Sequence, residues 1–73
     1  PHTFNKKAFS SVCIGDYSFI GAGAILLPGS KIGKFCIIGS GAVVKGKVED
    51  YSIIIGNPAK KIGDTRDPKY ILL

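Results

Sequence analysis

The sequence is organised by a period of six residues. Six consecutive hexads each open with an aliphatic residue, and four of them carry glycine in second place; they begin at Ile14, Ile20, Leu26, Ile32, Ile38 and Val44. The fifth positions are small or β-branched, namely Ser18, Ala24, Ser30, Cys36, Ala42 and Val48. A repeat of this length predicts an all-β fold, a parallel β-helix in which short strands and tight turns form stacked coils.

Three hexads make one triangular coil, so residues three hexads apart are expected to stack at the spacing of hydrogen-bonded strands, about 4.8 Å. The pairs that this rule brings together match chemically: Ile14 with Ile32, Ile20 with Ile38, and Leu26 with Val44. They predict three aliphatic ladders in the interior. Glycine in second place suggests a sharp corner where the backbone needs a positive φ.

The residue before each hexad is expected to face outward. Phe19 stacks with Ile37 on one face, and Ile55 continues that column if the third coil keeps the register. A second face stacks Ile25 with Val43, and a third carries Cys13, Lys31 and Glu49. Two outer faces are therefore apolar, which a protein in water normally covers. Neighbouring subunits in a closed three-fold ring would cover them; the alternative is that a missing part of a longer chain does so.

The chain has 73 residues and starts with Pro1 rather than Met, so we expect a fragment or a processed product that forms one small domain. The pattern divides it into an N-terminal loop (1–11), the coils (12–58) and a C-terminal tail (59–73). Ile53, Ile54 and Ile55 predict a short strand that Gly56-Asn57-Pro58 ends. A cap over the open end of the stack is expected as well.

The composition argues against nucleic-acid and membrane partners. The net charge of +5 comes from ten basic and five acidic residues that are spread along the chain, without the basic run and interleaved aromatics of a nucleic-acid-binding segment. No apolar run approaches the roughly 20 residues of a membrane span. Cys36 falls at an inward position and Cys13 at an outward one, so two free thiols and a cytoplasmic, reducing compartment are predicted.

Four stretches carry a family resemblance. The segments 14–21, 27–33, 38–44 and 51–60, the last ending in Gly-Asn-Pro-Ala-Lys, closely resemble the C-terminal half of hexapeptide-repeat acyltransferases that acetylate sugars, polysaccharides and some antibiotics. The likeness covers residues 14–62. It implies a left-handed β-helix, a homotrimer, and acetyl-coenzyme A as co-substrate, bound along the coils between adjacent subunits.

The resemblance also implies site residues. Ala22 and Ser40 match corner positions that meet the pantetheine arm, and Phe19 matches an aromatic beside that groove. Lys60 and Lys61 match basic residues near the 3′-phosphate. The alternatives are interface packing for Phe19 and a solvated tail for the two lysines. Residues 45–50 lack the prolines common in relatives, which makes that loop less rigid.

In the family a histidine is the general base that deprotonates a hydroxyl or amine of a sugar or similar acceptor, and the acceptor then attacks the thioester. His2 is the one histidine here, so it is the candidate base; the alternative is a flexible terminal residue. A metal site like that of γ-class carbonic anhydrases is not expected, because it needs three histidine ligands. Two other functions stay open: a non-catalytic trimerising scaffold, and the β-helix module of a nucleotidyltransferase.

Overall fold

The structure is a computed structural model that describes residues 11–71, with the side chains of residues 70 and 71 left out of the description. Its elements in chain order are β1 (Cys13–Ile14), β2 (Phe19–Ile20), β3 (Ile25–Leu26), β4 (Lys31–Ile32), β5 (Ile37–Ile38), β6 (Val43–Val44), β7 (Lys47–Val48), β8 (Ser52–Gly56), β9 (Ala59–Asp64) and α1 (Pro68–Ile71). No helix in this range is long and apolar enough to cross a bilayer. The predicted loop at 1–11 lies outside the described residues, apart from its last residue.

The strands form the three faces of a triangular prism. The first face contains β1, β4 and β7; the second contains β2, β5, β8 and β9; the third contains β3 and β6. All pairings are parallel except that of β8 with β9. Backbone hydrogen bonds join successive coils, as from Gly21 N–H to the Ile38 carbonyl (2.7 Å). The predicted parallel β-helix is confirmed.

The interior ladders of the first two coils follow the predicted register. Ile14 pairs with Ile32, Ile20 with Ile38, and Leu26 with Val44, each pair being three hexads apart. Fifth-position side chains fill the corners between them, and Cys36 and Ala42 are almost fully buried. Where the corner residue is serine, its hydroxyl bonds to nearby backbone: Ser30 Oγ donates to the Leu27 carbonyl (2.6 Å). No buried side-chain polar atom in the described residues lacks a partner. The two cysteines are free thiols, as predicted.

The second coil, residues 31–46, is two residues shorter than the first, because the corner between β6 and β7 has only two residues. Lys31 pairs with Lys47 and Ile32 with Val48, so the interval between partners falls two residues short of three hexads. The prediction that Glu49 continues the outward polar column was therefore wrong, and Lys47 takes that place. Val48 is likewise not a fifth-position residue, because it pairs with Ile32 and so occupies the inward first position of a hexad.

The same shift changes the second face. Ile37 pairs with Ile53 and Ile38 with Ile54, so Ile53, and not Ile55, stands in the column of Phe19 and Ile37. Ile53 is buried, whereas Ile55 is 45% exposed.

The second-position glycines are required by close approach and not by a positive φ, contrary to the prediction. A Cβ on Gly21 would lie 2.6 Å from the Ser40 nitrogen and 2.9 Å from the Gly39 carbonyl carbon, both backbone atoms of the next coil. Positive φ values occur at the fourth positions instead, for example at Gly23 and Gly41 (both 72°). Only glycine lets the coils approach closely enough at this place to make their hydrogen bonds.

The chain after the third coil forms a hairpin. Gly56-Asn57-Pro58 makes its turn, with a cis peptide bond before Pro58, and β9 then runs antiparallel to β8. The segment predicted as a polar tail therefore begins with a six-residue strand. The second face ends in this antiparallel strand, and Ala59 packs against the core.

Candidate functional site

The corner between the second and third faces carries two of the predicted site residues. Ala22 and Ser40 occupy equivalent places in two stacked turns, and both are exposed. Gly41 N–H donates to the Ala22 carbonyl (3.0 Å), which holds one turn on the other. The chain leaves for the hairpin at Gly56, so no third turn stacks below Ser40.

Several backbone groups at this corner have no hydrogen-bond partner in a neighbouring coil of the described chain. In the part of the chain that the structure describes, the N–H groups of Ala22 and Ser40 and the carbonyl of Ser40 make no backbone hydrogen bond. Both residues lie in exposed turns, so these groups are left without a backbone partner at the surface of the described stack. A ligand with an extended amide chain can pair with such groups in the way another strand would.

Apolar side chains flank the corner on both sides. Phe19 (65% exposed) stacks with Ile37 on the second face, and Ile25 (53% exposed) stacks with Val43 on the third, as predicted. The first face presents Cys13, Lys31 and Lys47 instead. The corner is thus an exposed hydrogen-bonding edge between two apolar columns.

The structure separates the two lysines that the sequence placed together. Lys60 pairs with Ile55, whose side chain is the one a Cβ on Gly39 would meet (2.8 Å), so Lys60 continues the column of Gly21 and Gly39, directly beside that of Ala22 and Ser40. Lys61 pairs with Ile54 and continues the inward ladder of Ile20 and Ile38. Successive side chains of a strand lie on opposite faces. Lys60 therefore lies below the corner, at a distance of about two strand spacings, or ~10 Å, and Lys61 lies at the end of the interior.

The corner between the first and second faces carries an aromatic stack that sequence analysis missed. The rings of Tyr17 and Phe35 lie 5.2 Å apart, those of Phe35 and Tyr51 5.3 Å apart, and Arg66 lies over Tyr51 at 4.3 Å. All three aromatic residues have φ values near +60°, which costs a non-glycine residue about 1 kcal/mol. Ring stacking contributes about 1 kcal/mol for each of the two pairs and offsets most of that strain.

A bidentate ion pair fixes the arginine at the end of the stack. Arg66 donates from Nε to Asp64 Oδ1 (2.9 Å) and from Nη2 to Oδ2 (2.6 Å). These hydrogen bonds hold the pKa of the Asp64 carboxyl well below its usual value. Thr65 ties the same segment to the coils, because its N–H donates to the Tyr51 carbonyl and its hydroxyl to the Phe35 carbonyl (both 2.8 Å).

The candidate base lies outside this geometry. His2 precedes the described residues, so the structure does not place it relative to the corner. The structure brings four of the predicted site residues together. Ala22 and Ser40 lie at the corner itself, and Phe19 and Lys60 lie beside it on the second face. Lys61 lies elsewhere.

The repeat and its geometry match known proteins. The family model of the bacterial transferase hexapeptide (six repeats) matches residues 13–46. A chloramphenicol acetyltransferase of Klebsiella aerogenes is 49% identical over 57 residues, which are 78% of this chain and 27% of the relative. The crystal structure of a maltose O-acetyltransferase from Clostridium difficile 630 is 40% identical with a TM-score of 0.73, over 75% of this chain and 29% of that one.

The chain belongs to the hexapeptide-repeat acetyltransferase family. Another hexapeptide-repeat structure, a galactoside acetyltransferase in complex with coenzyme A, has a TM-score of 0.75 at 28% identity and covers 80% of this chain and 29% of that one. The fold is the left-handed parallel β-helix that the resemblance implied. The chain spans less than a third of the length of these hexapeptide-repeat relatives.

Proposed function

We propose that this chain provides the coenzyme-binding coils of an acetyltransferase that moves an acetyl group from acetyl-coenzyme A to a hydroxyl or amine of a sugar or similar small acceptor. The observation that supports this most directly is the corner at Ala22 and Ser40, where unused backbone donors and an acceptor lie between two apolar columns. The solved complex of a related galactoside acetyltransferase with coenzyme A supports the choice of ligand.

The residues at the corner fit the parts of that coenzyme. The backbone groups of Ala22 and Ser40 suit the amides of a pantetheine arm, because a linear amide chain offers matching donors and acceptors. Phe19 gives the arm an apolar wall. Lys60, further down the same side, offers a cation to a phosphate group, and a lysine ammonium binds phosphate as a point charge.

The acyl transfer needs a base at the acceptor. In the proposed reaction a histidine takes the proton of the acceptor hydroxyl or amine, the acceptor atom forms a bond to the acetyl carbon, and the carbon–sulfur bond breaks. The departing sulfur then receives a proton, so that the coenzyme leaves as a thiol. His2 is the candidate within this chain for the base, since its neutral imidazole can accept a proton near pH 7.

We expect Lys60→Ala to weaken coenzyme A binding about tenfold, the usual size of a lost hydrogen bond to a charged group. Lys61→Ala is the matched control: it removes the same charge from the neighbouring residue, which lies on the other face of β9. Calorimetric titration of coenzyme A should show its affinity changed less than twofold in the control. Equal losses in both variants would contradict the assignment of Lys60. A folded trimer that binds no coenzyme A would favour the scaffold function instead.

We also propose that the apolar columns are covered by neighbouring subunits of a homotrimer. Ile25 is 53% exposed and Phe19 65% exposed in the isolated chain, and both stack with further apolar residues. Such columns are typical of surfaces that a partner covers. A ring of three subunits would bring a second chain to the edge of each coenzyme corner.

Ile25→Asp tests the trimer, because it places an unpaired carboxylate in the proposed interface. A buried unpaired charge costs at least about 3 kcal/mol, so each contact should weaken roughly a hundredfold. Sedimentation equilibrium should report a trimer for the unchanged protein and a monomer for the variant. Cys13→Asp adds the same charge to the polar first face, where the residue is exposed, and should leave the trimer intact. A variant Ile25→Asp that stays trimeric would show that this column lies outside the interface.

A further inference from the structure

A second concave site lies on the other side of the prism. A cleft of about 540 Å³ opens along the first face and reaches the end of the last coil. Four basic side chains line it, those of Lys31, Lys47, Lys61 and Arg66, together with the carboxylates of Glu49 and Asp50. The coenzyme corner joins the second and third faces, so the cleft does not overlap it within one subunit.

The short second coil creates this concentration of charge. Because the coil has two residues fewer, Lys47 and not Glu49 lies directly next to Lys31 in the parallel register. An acidic residue there would have neutralised Lys31, whereas two cations side by side repel each other and destabilise the pairing. Such a like-charge pair is stabilised when an anion binds across it.

The chain pairs one of the four cations of the cleft, Arg66, with the Asp64 carboxylate. Among residues 11–71, Lys31, Lys47 and Lys61 form no ion pair. The Asp50 carboxylate is already engaged, because its Oδ1 accepts a hydrogen bond from Lys34 N–H (2.9 Å). Arg66 is held in place by Asp64 and by the ring of Tyr51, so its guanidinium is oriented without a ligand.

We infer that this cleft binds a phosphomonoester, a dianionic phosphate group, at a site separate from the coenzyme corner. Asp64 balances the charge of Arg66, so the three lysines exceed the two carboxylates of the lining by one charge, and the cleft favours an anion; a phosphomonoester carries roughly −2 near pH 7. Lys31 and Lys47 supply donors from the first face, and Lys61 supplies one from the end of the coil. The same phosphate chemistry is offered by free inorganic phosphate and by a phosphorylated sugar.

The test is titration of the ¹⁵N-labelled protein with inorganic phosphate and with glucose 6-phosphate, at constant ionic strength and with glucose as the uncharged control. Saturable shifts are expected at the amides of Lys31, Lys47 and Lys61 with both phosphates and not with glucose. Tighter binding of glucose 6-phosphate would identify a sugar phosphate as the ligand, and equal binding would identify the phosphate group alone. Either result supports the site.

Lysine variants test whether phosphate binds in the cleft. Lys31→Gln with Lys47→Gln should weaken phosphate binding at least tenfold and leave coenzyme A affinity unchanged. Lys34→Gln, an exposed lysine outside the cleft lining, should leave phosphate binding unchanged. Phosphate should also raise the melting temperature of the unchanged protein more than that of the double variant.

Three results would overturn the inference: no saturation by either phosphate, equal losses in Lys34→Gln and in the double variant, or displacement of phosphate by coenzyme A but not by 3′-dephospho-coenzyme A. The last would assign the cleft to the coenzyme. The coenzyme proposal is judged separately, by the effect of Lys60→Ala on coenzyme A binding, so the failure of one proposal is distinguishable from the failure of the other.

Discussion

Gly21→Ala is expected to lower the free energy of unfolding by about 3 kcal/mol, the upper part of the range for overpacked interiors. The added methyl would lie 2.6 Å from the Ser40 nitrogen and 2.9 Å from the Ile38 carbonyl oxygen. Both are backbone atoms of the neighbouring coil, and they cannot move away without breaking the hydrogen bonds that join the coils. Urea denaturation followed by circular dichroism measures the loss.

Gly41→Ala is the matched control at the same corner, one coil further on. Its Cβ would meet no atom within 4 Å, but its φ of +72° is unfavourable for alanine. That strain alone costs roughly 1 kcal/mol. If Gly41→Ala destabilises as much as Gly21→Ala, then backbone conformation and not the approach of the coils decides the need for glycine.

The second large effect is expected at the centre of the interior. Ile38 has no exposed surface and stands between Ile20 and Ile54 in one ladder. Ile38→Ala should cost about 3 kcal/mol, because the rigid coils above and below cannot close the cavity. Ile38→Val, which removes one methylene, should cost about 1 kcal/mol.

Ile62→Ala serves as the control, because Ile62 is 49% exposed on β9. It should change stability by less than about 0.5 kcal/mol. A loss at Ile38 no larger than that at Ile62 would mean that the ladder tolerates a cavity and that the coils are held together by backbone hydrogen bonding alone.

The sequence predicted the first two coils well, because the side-chain period there equals the structural period. Each of the pairs Ile14–Ile32, Ile20–Ile38 and Leu26–Val44 could be read from an interval of three hexads. The third coil was mispredicted, because a count of six continues through a two-residue deletion without a visible break.

One signal in the sequence marks that deletion. The triplet Asp-Tyr-Ser occurs at positions 16–18 and again at 50–52, and the two copies are separated by one full coil and the one shortened coil. Aligning the two triplets would have placed Lys47 beside Lys31 and Tyr51 in line with Phe35. It would also have indicated the aromatic stack.

Site residues within the coils could be predicted from their position in the repeat. Site residues on the hairpin could not. Ala22 and Ser40 were placed at one corner by their equal positions in successive coils. The separation of Lys60 from Lys61 follows from an antiparallel strand, and no hexad predicts one. Pairing with Ile55 and Ile54 decides which face each lysine joins, and that register is set by the turn at Gly56-Asn57-Pro58.

The hairpin of β8 and β9 closes the second face of the stack. A further parallel coil cannot continue the second face beyond β9, because that strand runs in the opposite direction. In the first described coil Ile14 is half exposed, and the register there repeats every three hexads. Duplication of a three-hexad unit within residues 13–46 would therefore lengthen the protein without disturbing its ladders. The protein can therefore be lengthened by whole three-hexad units, all of them on the N-terminal side of the hairpin.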